Sequence, residues 1–298
     1  TIRQLVSMPD GRVFAAAGSF SLSDIYQWNG FSWSLIPGSR AAGLIGLPDG
    51  GLLSYGGPEA GVVARRWDGA SWQPVASSND YVSAAAVMPN GDLVLAGSFQ
   101  SLGGVALPGV GRFDGATWSP LGNGLPTFPM TKALAALPGG DVVALLDASV
   151  ERWDGSAWTQ LGMLPNGTTR ALIAGADGEP LIAGSFLGAD VLRWDGANWV
   201  PLGAAPPDDV SSLALLANGE LVASPTGPLA GAGRSVQRWD GASWASLGGN
   251  VDGEVKATVA TTSGEVLLGG DFRMANGVGS CRFARIASAC PASAQITP

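Results

Sequence analysis

The sequence predicts an all-β fold, a seven-bladed β-propeller built from four-stranded antiparallel blades, and three observations carry the prediction. One short hairpin recurs six times. It reads Trp28-Asn29-Gly30-Phe31-Ser32-Trp33, Trp67-Asp68-Gly69-Ala70-Ser71-Trp72 and Phe113-Asp114-Gly115-Ala116-Thr117-Trp118, with further copies from Trp153, Trp194 and Trp239. The starts lie 39, 46, 40, 41 and 45 residues apart, and short strands at such a period mean one propeller blade per repeat. A turn ending in Gly gives a second count: Pro9-Asp10-Gly11, Pro48-Asp49-Gly50, Pro89-Asn90-Gly91, Pro138-Gly139-Gly140, Ala176-Asp177-Gly178, Ala217-Asn218-Gly219 and Ser263-Gly264. Seven turns make seven blades. Asp-Gly and Asn-Gly suit tight hairpins because both residues tolerate positive φ. Third, Gly and Pro interrupt every candidate helix.

Each repeat reads as strands a to d. In the third repeat, a is Val82 to Val87, b is Asp92 to Gly97, c is Val110 to Phe113 and d is Thr117 to Leu121. Strand a is rich in small residues, which suits the crowded strand beside the axis. Strand b is a near-continuous apolar run, such as Leu93-Val94-Leu95-Ala96, and such runs mark strands covered on both faces. One domain over 1–298 follows, with blades over about 1–38, 39–78, 79–123, 124–164, 165–204, 205–249 and 250–298. The last blade is atypical, its hairpin reduced to Phe283-Ala284-Arg285. Its fourth strand must come from Ser288 to Thr297 or be missing.

The repeats commit many residues to the scaffold. All eleven Trp lie in the hairpins. An exposed Trp would be a sugar-stacking platform, but a residue repeated at one position in each blade reads first as packing between blades. Arg66, Arg112, Arg152, Arg193, Arg238 and Arg282 precede the hairpins, and each is expected to pair with a repeated Asp or with carbonyls at the hairpin end. Phe20, Phe99, Phe186 and Phe272 recur where strand b ends; they read either as blade-edge packing or as a ring of shallow apolar subsites. Cys281 and Cys290, the only cysteines, read as a disulfide stapling the last blade, or else as two buried thiols. A disulfide, together with a chain that opens on Thr1 rather than Met, points to an extracellular or cell-surface protein.

Net charge is −8. Setting aside the six Arg and the five hairpin Asp leaves 19 of the 24 acids against 10 of the 16 bases. An acidic surface argues against nucleic acid, which wants a basic stripe. No stretch is long and apolar enough to span a membrane as a helix. The absence of His removes Ser-His-Asp and Cys-His catalysis and His-ligated metals. Carboxylate chemistry survives, since a glycosidase needs only two acids about 5–10 Å apart. Acids off the repeat frame are Asp24, Glu59, Asp80, Asp147, Asp190, Asp208, Asp209, Asp252, Glu254 and Asp271, and solvated loop acids are their plainer reading. No cofactor is expected. Calcium on Asp208-Asp209 or Asp252-Gly253-Glu254 is the one exception left open, without an Asp-x-Asp-x-Asp-Gly pattern to support it.

Topology then divides the surface. The a–b and c–d turns emerge on one face and are short and uniform. The b–c loops and d-to-a crossovers emerge on the other and vary: three residues in blade four (147–149), but ten in blade three (100–109). Rigid scaffold opposite loop diversity is how binding sites are commonly built. The candidate binding face on the b–c side comprises Phe20, Asp24, Glu59, Phe99, Gln100, Asp147, Phe186, Asp190, Asp208, Asp209, Phe272 and Arg273.

The unit carried by Ala183-Gly184-Ser185-Phe186, Arg193-Trp194-Asp195-Gly196 and Trp199 to Gly203 resembles secreted bacterial propellers with kelch-like or cortical-marker-like repeats, and the resemblance covers nearly the whole chain. It implies fold and an exported location more than an activity. The chain looks unlike WD-repeat proteins, which carry a Gly-His pair, and unlike galactose oxidase-type kelch enzymes, whose copper site needs His. The expected function is therefore a non-catalytic extracellular module binding a protein or glycan through the b–c face. The alternatives are a self-assembling surface or filament module, which the mean hydropathy of +0.23 would permit, and a carboxylate-dependent glycan hydrolase or lyase.

Overall fold

In a computed structural model of the chain, the described residues are 1–18, 23–78, 80–126, 131–187, 189–204, 209–227, 235–248, 251–275, 277–280, 282–286 and 296–297. They form seven four-stranded antiparallel sheets arranged as the blades of a propeller. Each sheet takes its strands in chain order from one continuous stretch. The first runs Ile2–Ser7, Val13–Gly18, Ser23–Trp28 and Trp33–Ala41; the last runs Val255–Ala260, Val266–Gly270, Phe283–Ile286 and Ile296–Thr297. The fourth strand of blade seven is thus present, two residues long, pairing Arg285 with Thr297 and Ile286 with Ile296. No helix occurs among the described residues, so none there could cross a membrane.

The seven a–b turns share one hydrogen-bond pattern. In blade one Met8 N–H reaches Arg12 O (2.8 Å) and Gly11 N–H reaches Met8 O (3.0 Å); in blade seven Thr261 N–H reaches Glu265 O (2.9 Å) and Gly264 N–H reaches Thr261 O (3.0 Å). The turn glycines Gly11 to Gly264 hold φ of +83 to +98°, a region that a residue with a Cβ enters only at a cost. This pattern explains why the Gly-ended turn counts the blades more reliably than Trp does.

Seven buried apolar clusters occupy the seven junctions between successive blades. One joins Leu145 and Val150 of blade four to Ile182, Phe186 and Trp194 of blade five. Another closes the ring by packing Ile2, Leu5, Val13 and Ala15 of blade one on Ala257, Leu267 and Phe283 of blade seven. The apolar strands b are the centre of these clusters: Leu93–Gly97 and Val266–Gly270 are buried throughout. Burial of a Leu, Val or Phe side chain stabilises by about 1.5–3 kcal/mol, so the ring is held by side-chain packing between separately hydrogen-bonded sheets.

Candidate binding faces

On the face of the a–b and c–d turns, the repeated polar residues are consumed by the scaffold. The hairpin Asp caps its own turn: Asp68 Oδ1 accepts from Ala70 N–H and Ser71 N–H, both at 2.8 Å. Backbone N–H bonds of this kind hold the Asp68, Asp114, Asp195 and Asp240 carboxyls below their ordinary range. Asp154 falls to about 2 through the Ala157 N–H and the Ser156 hydroxyl and N–H. Asn29 makes the same two bonds in blade one, to Phe31 N–H and Ser32 N–H.

The Arg preceding each hairpin pairs with an acid of its blade's a–b turn, not with the hairpin Asp. Arg66 meets Asp49 (2.7 Å), Arg152 meets Asp141 (2.6 Å), and Arg112, Arg193 and Arg238 meet Asp92, Asp177 and Glu220. Arg152 also crosses to Glu179 of the next blade at 3.1 Å. In blade seven the expected Arg282 is not the member of this set. Strand pairing sets Arg285 opposite Leu267 and Ile286 opposite Val266, the positions that Arg112 and Phe113 hold opposite Val94 and Leu93, and Arg285 pairs with Glu265 at 2.5 Å. Without a Trp to fix it, the sequence alignment of this blade slips by three residues. Ile286, not Phe283, stands in the Trp place.

The Trp residues pack, as the repeat implied, and none is exposed. The second Trp of a hairpin donates its indole N–H to a backbone carbonyl in the preceding blade: Trp72 to Pro37 (3.1 Å), Trp158 to Leu121 (3.0 Å), Trp199 to Leu161 (2.8 Å) and Trp244 to Leu202 (2.8 Å). In the last three of these hairpins the first Trp, Trp153, Trp194 or Trp239, lies against the Gly that follows that carbonyl. A Cβ on Gly203 would come within 2.4 Å of the Trp239 ring.

The b–c face gathers the remaining candidates, with corrections. Phe99 and Phe272 are wholly buried and Phe186 is 8 % exposed, each inside a junction cluster. These three belong to the core and offer no ring of subsites; Phe20 and Asp208 lie outside the described residues, as do Cys281 and Cys290. Several acids are engaged. Asp24 pairs with Arg40 (3.4 Å), Glu59 with Arg65 (2.9 Å) and Asp147 with Lys132 (2.8 Å). Gln100 and Asp209 are exposed and Asp190 half-buried on strand c. Arg273 is exposed, its N–H bound to Asp252 Oδ1 at 2.6 Å. That bond and one from Met274 N–H hold the Asp252 carboxyl below its ordinary range. Glu254 and Asp271 share Lys256. No three acids or cysteines gather as a metal site among the described residues.

Two features of this face were not anticipated. The b–c loops of blades three and seven fold into small hairpins, Ser101–Leu102 with Val105–Ala106 and Met274–Ala275 with Val278–Gly279. Exposed large apolar side chains also concentrate here. Val105, Leu187, Met274 and Val278 sit on b–c loops and Met163 on a d-to-a crossover, with exposures from 38 to 89 %.

Three cavities lined by described residues lie on the opposite face. One of about 530 Å³ is the axial mouth, lined by Pro138, Ala176, Leu215, Leu216, Ala260 and Thr262. A second, of about 460 Å³, lies between blades seven and one.

No protein-family model and no curated protein matches the chain. Solved structures do match its architecture. A streptogramin B lyase is 12 % identical, with 95 % of this chain and 92 % of that one covered and a TM-score of 0.67. A catalytically inactive histidine-to-alanine variant of virginiamycin B lyase from Staphylococcus aureus with quinupristin is 11 % identical over 91 % of each chain, at 0.64. The WD40 propeller domain of Doa1 is 13 % identical, over 97 % of this chain and 93 % of that one, at 0.63. At such identities the likeness is one of fold.

Proposed function

We propose that the protein is a non-catalytic interaction module that takes a protein partner on its b–c face. The observation that carries this reading is the placement of Val105, Met163, Leu187, Met274 and Val278: five of the seven exposed large apolar residues among those described stand on this face. They are aliphatic or thioether side chains, suited to the apolar centre of a protein interface rather than to stacking on sugar rings. The WD40 neighbour supports use of the same architecture as a scaffold. Two observations weigh against catalysis. The lyase in the comparison is inactive as a histidine variant, and this chain has no His. A general acid needs a carboxyl held up by burial, whereas the carboxyls of Asp10, Asp68, Asp114, Asp154, Asp195, Glu220, Asp240, Asp252 and Asp271 are displaced downward.

The test is a photo-crosslinker placed at residue 187 and, separately, at residue 116 on the opposite face, with the protein exposed to the culture medium of its source cells. A defined partner trapped from position 187 and not from 116, and lost in Met163→Glu, supports the reading. Equal trapping from both positions overturns it. An extracellular location is part of the proposal and rests on Cys281 and Cys290. Thiol titration of the denatured chain should find no free thiol, and finding two removes that support.

A further inference from the structure

We infer that the cleft between blades seven and one, on the face of the a–b and c–d turns, is a binding site for a neutral oligosaccharide. It stands apart from the b–c face and does not depend on it. The cleft measures about 460 Å³, within the range of about 300–1,000 Å³ typical of small-ligand sites. The corresponding cleft between blades five and six measures only about 140 Å³, and the junction that holds the wider one departs from the repeat. Six blades place an Arg before the hairpin, but blade one has Gln27. The a–b turn acid that such an Arg would hold, Asp10, is held by Arg12 at 2.7 Å. The Gln27 amide lines the cleft with no hydrogen-bond partner among the described residues.

The charges of the cleft cancel. Asp10 is paired with Arg12 and Glu265 with Arg285, so an ionic ligand gains little net field there. What remains is hydrogen-bonding capacity without net charge. The Gln27 amide donates and accepts, the carboxylates keep unfilled lone pairs, and the Thr262 hydroxyl is exposed. Vicinal sugar hydroxyls need such planar donor and acceptor pairs.

Apolar surface sits beside these groups. Trp28 lines the cleft, half-buried. Phe31, on the same turn, is 93 % exposed, where the other five hairpins carry Ala or Ser. An aromatic ring left fully in water at one of six equivalent tips matches the C–H face of a sugar. Thr261 and Thr262 line the axial mouth as well, so the cleft continues inward with room for several units.

The experiment is titration of the whole chain with cellohexaose, xylohexaose, mannohexaose and chitohexaose, followed by Trp fluorescence and calorimetry. At least one should bind with a Kd below about 1 mM, a typical affinity scale for a shallow site. Gln27→Ala and Phe31→Ala should each weaken it at least tenfold at an unchanged unfolding midpoint, and Leu187→Glu on the other face should leave it unchanged. The inference is overturned if none of the four binds at 10 mM, if binding survives both substitutions, if Leu187→Glu abolishes it, or if hexagalacturonate binds more tightly than the neutral sugars.

Discussion

Between blades four and five, the Trp199 indole N–H meets the Leu161 carbonyl at 2.8 Å and Arg152 reaches Glu179 at 3.1 Å. Between blades seven and one, Phe283 lies against both Trp28 (5.2 Å between ring centres) and Trp33 (5.1 Å, edge-on), and Gln27 stands where the repeat has Arg. The junction between blades four and five is written by repetition and closed by an indole hydrogen bond and an ion pair. The closing junction is improvised from three aromatic rings, and its polar gap becomes a cleft. A single departure from the repeat, Gln27 in place of Arg in blade one, thus accompanies the wider cleft at this junction.

The largest expected effect comes from Phe283→Ala. It removes the ring that both Trp28 and Trp33 contact and should lower stability by about 4 kcal/mol, with red-shifted Trp emission in urea unfolding. An unmoved midpoint would mean that something other than aromatic packing closes the ring. A smaller difference should separate Trp199→Phe from Trp33→Phe. The first also loses an indole hydrogen bond, so its destabilisation should exceed the second by about 1 kcal/mol; equal losses would erase the distinction between the junctions. The smallest effect concerns acid. Asp154 is held at about 2 in the folded state against about 3.9 unfolded, so its contribution is present above pH 4 and lost as pH falls from about 4 to about 2. Asp154→Asn keeps the bonds that Asn29 shows an amide can accept, and should make the fall of Tm across that window shallower. An identical profile would separate the hairpin caps from acid unfolding.

The fold was legible because its determinants are local and repeated. Asp10-Gly11 or Asn90-Gly91 specifies a turn from two residues, and seven such turns fix the blade count. Blade seven shows the limit. Its register is set by the turn and by Glu265 holding Arg285, and with no Trp in place Arg282 looked like the right Arg. Phe99 and Phe272 could not be assigned from spacing, because a residue at the end of a buried strand faces core or solvent according to a bend that the sequence does not mark. The cleft was illegible for a different reason. It is marked by Gln27 in place of Arg, and a single substitution in one repeat reads as drift until the partner acid is seen to be occupied.

Among the described residues each blade is laced from one length of chain, and no strand is shared between the first blade and the last. Among those residues, the ring is therefore a necklace whose clasp is made of side chains. Pulled by its ends, it should part at the clasp before any sheet unravels. It should then shed whole blades one at a time, each release lengthening the chain by one repeat, in a sawtooth of evenly spaced steps.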